Sequence, residues 1–189
     1  IGIYMQTEGV LVIDTGEIQN RNGETEEPAR NIIRQGDYII SFNGEKISTK
    51  RELIDDISEL DGSEVTLGIS RKGESIPVSV TPVKDKKGDY KLGIWVRDDT
   101  QGIGTLTYVD QNGNYGALGH GISDIDTAQL LNIRNGALYK ARILAINKGS
   151  KGNPGELAGY ICYDDRNILG TIEANSRNGI YGQFTGIAD

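Results

Sequence analysis

The spacing of Asn-Gly pairs constrains this chain more than any other feature. They fall at Asn22-Gly23, Asn43-Gly44, Asn112-Gly113, Asn135-Gly136 and Asn178-Gly179. Both residue types tolerate left-handed backbone, which two-residue hairpin turns require. Asp61-Gly62 and Lys72-Gly73 add two further turn signals. Between the turns lie short runs rich in Val, Ile, Thr and Tyr. The early ones are Gly9–Asp14, Asp37–Phe42, Glu64–Arg71 and Ile76–Val83; the later ones are Leu92–Arg97, Ile103–Val109, Tyr115–Leu118 and Ala137–Ile146. Such runs read as strands. Glycine is abundant, at 26 of 189 residues, and the whole pattern predicts a mainly β chain.

Two segments read as helices. In Thr49–Leu60, Thr49 and Glu52 form a capping box, and Leu53, Ile54, Ile57 and Leu60 recur at helical spacing. A second, shorter helix is expected from Pro28, covering Ala29 to Arg34, because proline suits the first helical turn. Gln19–Glu27 is polar and acidic with no apolar anchor, and reads as a mobile surface loop. Lys84–Asp89 is charged and contains a glycine. The expected organisation is therefore a domain over 1–83, a linker over 84–90 and a second domain over 91–189.

Charge and composition exclude several function classes. Lys plus Arg number 20 and Asp plus Glu 27, a formal net charge of −7, and no basic stripe interleaves with aromatics. Nucleic acid is therefore not an expected partner, because affinity for its backbone rests on clustered Lys and Arg. The lone cysteine, Cys162, cannot form an intramolecular disulfide. One histidine and one cysteine cannot build a closed zinc site, and no calcium-loop spacing is present, so no metal or other cofactor is expected. Gly116, Gly119 and Gly121 do not read as a nucleotide loop, since no helical pattern follows them. No apolar stretch is long enough to cross a bilayer as a helix. The sequence starts at Ile1 inside a strand-like run, which reads as a processed or cut product. A membrane is expected to be met only through an anchor upstream of it.

The first half carries Gly9-Val-Leu-Val-Ile13, Pro28-Ala29, Gly36-Asp37-Tyr-Ile-Ile-Ser-Phe-Asn43-Gly44 and Glu64-Val-Thr-Leu-Gly-Ile-Ser-Arg71-Lys-Gly73. In this order, over residues 1–83, these motifs resemble the PDZ domains of bacterial proteases. One departure is that Ile32-Ile33-Arg34 runs on where the family usually has a glycine. The resemblance implies a β-sandwich with two helices that binds protein or peptide by adding an extended strand to a free sheet edge. By position, that edge is Ile3 to Gln6, facing the Thr49–Leu60 helix. The peptide-binding residues it implies are Ile1, Gly2, Ile3, Tyr4 and Met5, with Leu53 and Ile57 from the helix. Ile1-Gly2-Ile3 resembles the loop that holds a terminal carboxylate; equally, Gly2 simply permits a turn.

The second half holds the only histidine, His120, in Tyr115-Gly-Ala-Leu-Gly-His-Gly-Ile-Ser-Asp-Ile-Asp-Thr127. A lone histidine is often structural. Here Gly119 and Gly121 leave the imidazole uncrowded, and a histidine on a loop just past a strand suits a general base. With Gly93-Ile-Trp-Val-Arg97-Asp98, Gly102-Ile-Gly-Thr-Leu-Thr107 and Gly152-Asn-Pro-Gly155, this segment resembles the SpoIVB family of stage IV sporulation proteases, over residues 91–182.

That resemblance implies a serine endopeptidase with a chymotrypsin-like β-barrel domain, of which this chain holds part. It implies export to the space between the forespore and mother-cell membranes of a spore-forming bacterium. There the enzyme would cleave a membrane-associated regulatory protein and so activate late sigma-factor processing. His120 matches the family's catalytic histidine. The family's acid and its nucleophilic serine, in a Gly-x-Ser-Gly segment, lie further downstream, and no such segment occurs here. The expectation is a chain that carries the base without its nucleophile. The alternative is a non-catalytic peptide-binding or regulatory fragment.

Local substitutes for the nucleophile do not fit. Ser123 follows His120 too closely, Ser150 and Ser176 read as loop serines, and Cys162 sits in a strand-like run as a small hydrophobe. Asp124 and Asp126 read as bonding the backbone of their own turn, with orientation of His120 or a cation as alternatives. An incomplete barrel would expose apolar surface, so self-association is also expected.

Overall fold

Turn chemistry sets the strand register in the computed structural model, which describes residues 1–186. Asn43 and Gly44 take φ of 48° and 90°, and Lys72 and Gly73 take 54° and 86°. Both pairs close two-residue hairpins, between Phe42 and Glu45 and between Arg71 and Glu74. Asn135-Gly136 is different: it lies inside a strand. A Cβ on Gly136 would sit 2.7 Å from Tyr4 O and 3.0 Å from Ile172 Cβ, so glycine serves close packing there, not a turn. Among the described residues, no helix is long and apolar enough to cross a membrane.

The chain divides into two compact units. One comprises Thr7–Asp98 and Asp124–Gln129; the other comprises Ile1–Gln6, Asp99–Ser123 and residues 130–186. Leu92–Asp98 thus packs with the first unit.

The first unit is built from β1 (Gly2–Thr15), β2 (Ile18–Gln19), β3 (Thr25–Glu26), β4 (Tyr38–Phe42), β5 (Glu45–Lys46), α1 (Lys50–Ser58), β6 (Val65–Arg71), β7 (Glu74–Val80), β8 (Val83–Lys84), β9 (Tyr90–Lys91) and β10 (Ile94–Ile103). The outer ends of β1 and β10 belong to the other unit. Sheet pairing runs β1–β4–β6–β7, with β10 on β1 and β5 on β4. Val10, Val12, Ile39, Leu53, Leu67, Ile69 and Leu92 form the core. The capping box of α1 forms as expected: Thr49 Oγ1 accepts from Glu52 N at 3.2 Å, and Glu52 Oε2 accepts from Thr49 N at 3.1 Å.

Two local expectations fail. Pro28–Ile32 forms consecutive turns, not a helix, because Asn31 takes φ of 62° and interrupts the ladder. The domain therefore has one α-helix where two were expected among the described residues. Gln19–Glu27, expected as a loop, forms a short ribbon: β2 pairs β3, and Asn20 Oδ1 accepts from the N–H groups of Asn22 and Glu24.

The second unit contains β11 (Leu106–Val109), β12 (Asn114–Ala117), β13 (Ile133–Tyr139), β14 (Ala141–Asn147), β15 (Glu156–Ile161), β16 (Ile168–Ile172), β17 (Ala174–Ser176) and β18 (Gly179–Gln183). One sheet runs β11–β12–β18–β17; β13 lies between β16 and β1. Ile3, Met5, Tyr115, Leu138, Ile172 and Ile180 are buried at its core. Tyr115 donates its hydroxyl to Thr171 O at 3.0 Å, and burial, with a smaller push from Glu173, raises its pKa. The β14–β15 ribbon pairs only within itself among the described strands and leaves Ile143, Leu144, Ile146 and Leu157 exposed.

Candidate functional site

Two places carry chemistry. The first is a groove on the helix-bearing unit, with a volume of about 880 Å³, between α1 and the segment Leu92–Val96. Leu53 is fully buried at its base, Ile57 is half-buried, and Ile54 and Trp95 stand exposed at its rim. Contacts from Gly16 N to Gly93 O at 2.8 Å and from Thr7 Oγ1 to Asp98 O at 3.0 Å run in opposite chain order, so β10 lies antiparallel along β1. Asp98 also ties this strand to the helix, its carboxylate accepting the Lys50 backbone N–H at 2.8 Å.

The residues expected to form the peptide edge divide between the two units. β1 pairs with β13, β4 and β10. Ile1, Gly2, Ile3, Tyr4 and Met5 belong to the other unit, where Ile3 and Met5 are core residues. Gly2 packs against Ile161; a Cβ there would meet its side chain at 2.6 Å. Of the expected set, only Leu53 and Ile57 line the groove, and the strand residues that line it with them are Ile94–Val96.

The second place is the His120 loop. After β12 the chain makes a tight turn centred on Leu118, with φ of 74°, closed by Gly119 N donating to Ala117 O at 3.1 Å. A γ-turn of this hand is rare and strained for a residue with a side chain. Gly119 follows at φ 84°, and His120 then stands exposed. Its Nδ1 lies 2.9 Å from Gly121 O. A carbonyl only accepts, so a hydrogen bond here requires a proton on Nδ1; in the neutral ring the lone pair is then on Nε2.

The loop is fastened from β17 and the hairpin beyond it. Gly121 N donates to Arg177 O at 3.1 Å. Asn175 accepts from Ile122 N at 2.9 Å and donates to Ile122 O at 2.8 Å and Leu131 O at 2.9 Å. Spacing could not reveal Asn175, because its partner Ile122 lies 53 residues away.

The other polar candidates have structural roles. Asp124 Oδ1 accepts from the N–H groups of Asp126 and Thr127, at 3.0 and 2.9 Å. Arg97 bridges both acids, reaching Asp124 at 2.5 Å and Asp126 at 3.0 Å. Ser176 accepts from Asn178 N and bonds Gly179 O within its own hairpin. Ser123 and Ser150 are exposed loop residues. Cys162 is a partly buried free thiol. No cluster of three potential metal ligands occurs among the described residues.

Comparison with known proteins matches these two regions. Residues 1–81 match the PDZ domain family. A Lactococcus lactis protein described as a zinc metalloprotease, LL2128, is 38% identical over 78 residues, which is 40% of this chain and 18% of that protein. This chain therefore aligns with less than a fifth of that relative's length. The PDZ domains of the SdrC-like proteins Lmo2051 of Listeria monocytogenes and Lin2157 of Listeria innocua superpose on 47% of the chain. They cover 87% and 93% of their own lengths, at 23% and 25% identity and TM-scores of 0.39 and 0.40. Residues 88–188 match the family described as SpoIVB peptidase S55. That span is more than half of the chain and contains the whole His120 loop, and the chain belongs to the SpoIVB peptidase S55 family.

Proposed function

We propose that this chain belongs to a serine endopeptidase in which His120 is the general base and the PDZ groove holds an extended stretch of protein substrate or regulator. The observation that carries the proposal is the Nδ1 bond from His120 to Gly121 O at 2.9 Å, on an exposed loop. With the proton held on Nδ1, Nε2 can take the hydroxyl proton of a serine as its Oγ attacks a peptide carbonyl. Nε2 then returns that proton to the leaving amine as the C–N bond breaks. The 189 residues contain no Gly-x-Ser-Gly segment, and none of their serines is assigned as the nucleophile.

In the groove, an incoming strand would lie between α1 and Ile94–Val96, with Leu53, Ile54 and Ile57 contacting its side chains. Membership of the SpoIVB family supports a role in sporulation signalling between the two membranes around the forespore, with a membrane-associated regulator as substrate. The test is peptide hydrolysis by the full-length protein. His120→Ala should lower kcat by about four orders of magnitude or more, as loss of a triad histidine does. Unchanged turnover would refute the assignment.

A further inference from the structure

Gly121 and Ile122 share one peptide group, and both of its polar atoms are engaged. Its N–H, on Ile122, donates to Asn175 Oδ1 at 2.9 Å. Its C=O, on Gly121, accepts from His120 Nδ1 at 2.9 Å. A trans peptide is planar, with C=O and N–H pointing in opposite directions, so anchoring one end aims the other. Asn175 also donates to Ile122 O and Leu131 O, which fixes its own amide plane. It sits on β17, paired in register with Ile180, a fully buried residue of β18. The rigid sheet is thus connected to the imidazole through one side chain and one peptide group.

We infer that Asn175 is a positioning residue for His120: by holding the Gly121–Ile122 peptide, it selects the Nδ1–H tautomer and leaves Nε2 as the free base. Asn175 does not touch the reacting atoms. Its value to catalysis rests on the reading of His120 as general base, but the tautomer itself does not. A free imidazole favours the proton on Nε2, so the opposite tautomer reports the peptide's orientation directly. A side chain that merely stapled the loop would leave the ring free to choose.

The chain has a single histidine, so its ring nitrogens can be observed without ambiguity by two-bond ¹H–¹⁵N correlation on uniformly labelled protein, at a pH where the imidazole is neutral. The parent chain should show the proton on Nδ1. Asn175→Ala should move it to Nε2, while the backbone amide spectrum stays dispersed. Asn175→Asp keeps an acceptor for Ile122 N–H and should retain Nδ1–H, and it decides the matter if the alanine variant does not fold. An Nε2–H parent, an alanine variant that keeps Nδ1–H, or an aspartate variant that loses it would each overturn the inference. None of these outcomes depends on proteolysis, so failure of the protease reading would appear separately, as unchanged hydrolysis by His120→Ala.

Discussion

Arg71 grips Asp37 with two parallel hydrogen bonds, Nε to Oδ1 at 2.8 Å and Nη2 to Oδ2 at 2.7 Å. The Asp37 carboxylate is almost fully buried and also accepts from Arg34 N at 2.8 Å. Arg71 in turn donates to Ile32 O. The Gly-Asp motif of the PDZ half is therefore a junction that ties the turn before β4 to the end of β6. Asp37→Ala leaves a guanidinium and a backbone N–H without their acceptor. It should cost about 2–4 kcal/mol in urea unfolding, toward the low end because Arg71 keeps some contact with water. Arg71→Lys should recover little, since an ammonium cannot make the two-pronged bond. A loss well under 1 kcal/mol for Asp37→Ala would contradict this.

The two glycines beside His120 should respond differently to alanine. At Gly121 a Cβ would lie 2.3 Å from Ser176 O and 2.4 Å from Leu130 Cδ1, so the backbone itself must move. At Gly119 nothing lies within 4 Å, and only the positive φ of 84° resists. Gly121→Ala should cost about 1–3 kcal/mol and displace the His120 ring signals. Gly119→Ala should cost about 1 kcal/mol and disturb those signals less. The opposite order of effects, read by urea unfolding and histidine NMR, would show that the loop is not seated on the 175–178 segment.

Trp95 is the only tryptophan, and it stands exposed at the rim of the α1 groove. Peptide entering the groove should shift its emission to the blue in a saturable titration. Ile54→Asp, on the facing helix, should weaken that binding by about tenfold, or roughly 1.4 kcal/mol. A Trp95 signal indifferent to every extended peptide in a random library would place the binding surface elsewhere.

The β14–β15 ribbon presents Ile143, Leu144, Ile146 and Leu157 to solvent, and exposed apolar surface of this kind favours association. Sedimentation should show a concentration-dependent shift toward dimer, reduced in Leu144→Asp/Ile146→Asp. A monomer at all concentrations would exclude association through this ribbon.

The local features were legible from residue order alone. The Asn43-Gly44 and Lys72-Gly73 hairpins and the Thr49–Glu52 capping box depend on neighbours a few positions apart. What resisted was set by distant contacts. Gly136 is a glycine because Tyr4 and Ile172 press against it, not because the chain turns. Ile94–Val96 lines the groove beside α1 through a strand pairing with β1 that no local pattern marks. His120 stands out in the sequence through its flanking glycines, but Asn175, which bonds its loop, has no periodic signature. Pro28 suggested a helix start, and Asn31 ended that turn through its own left-handed backbone.

The reading of His120 as general base is tested most directly by fluorophosphonate labelling of the full-length protein beside its His120→Ala variant. A single serine should be labelled in the parent, and the variant should not be labelled. Labelling that survives His120→Ala, or none in the parent, would contradict it.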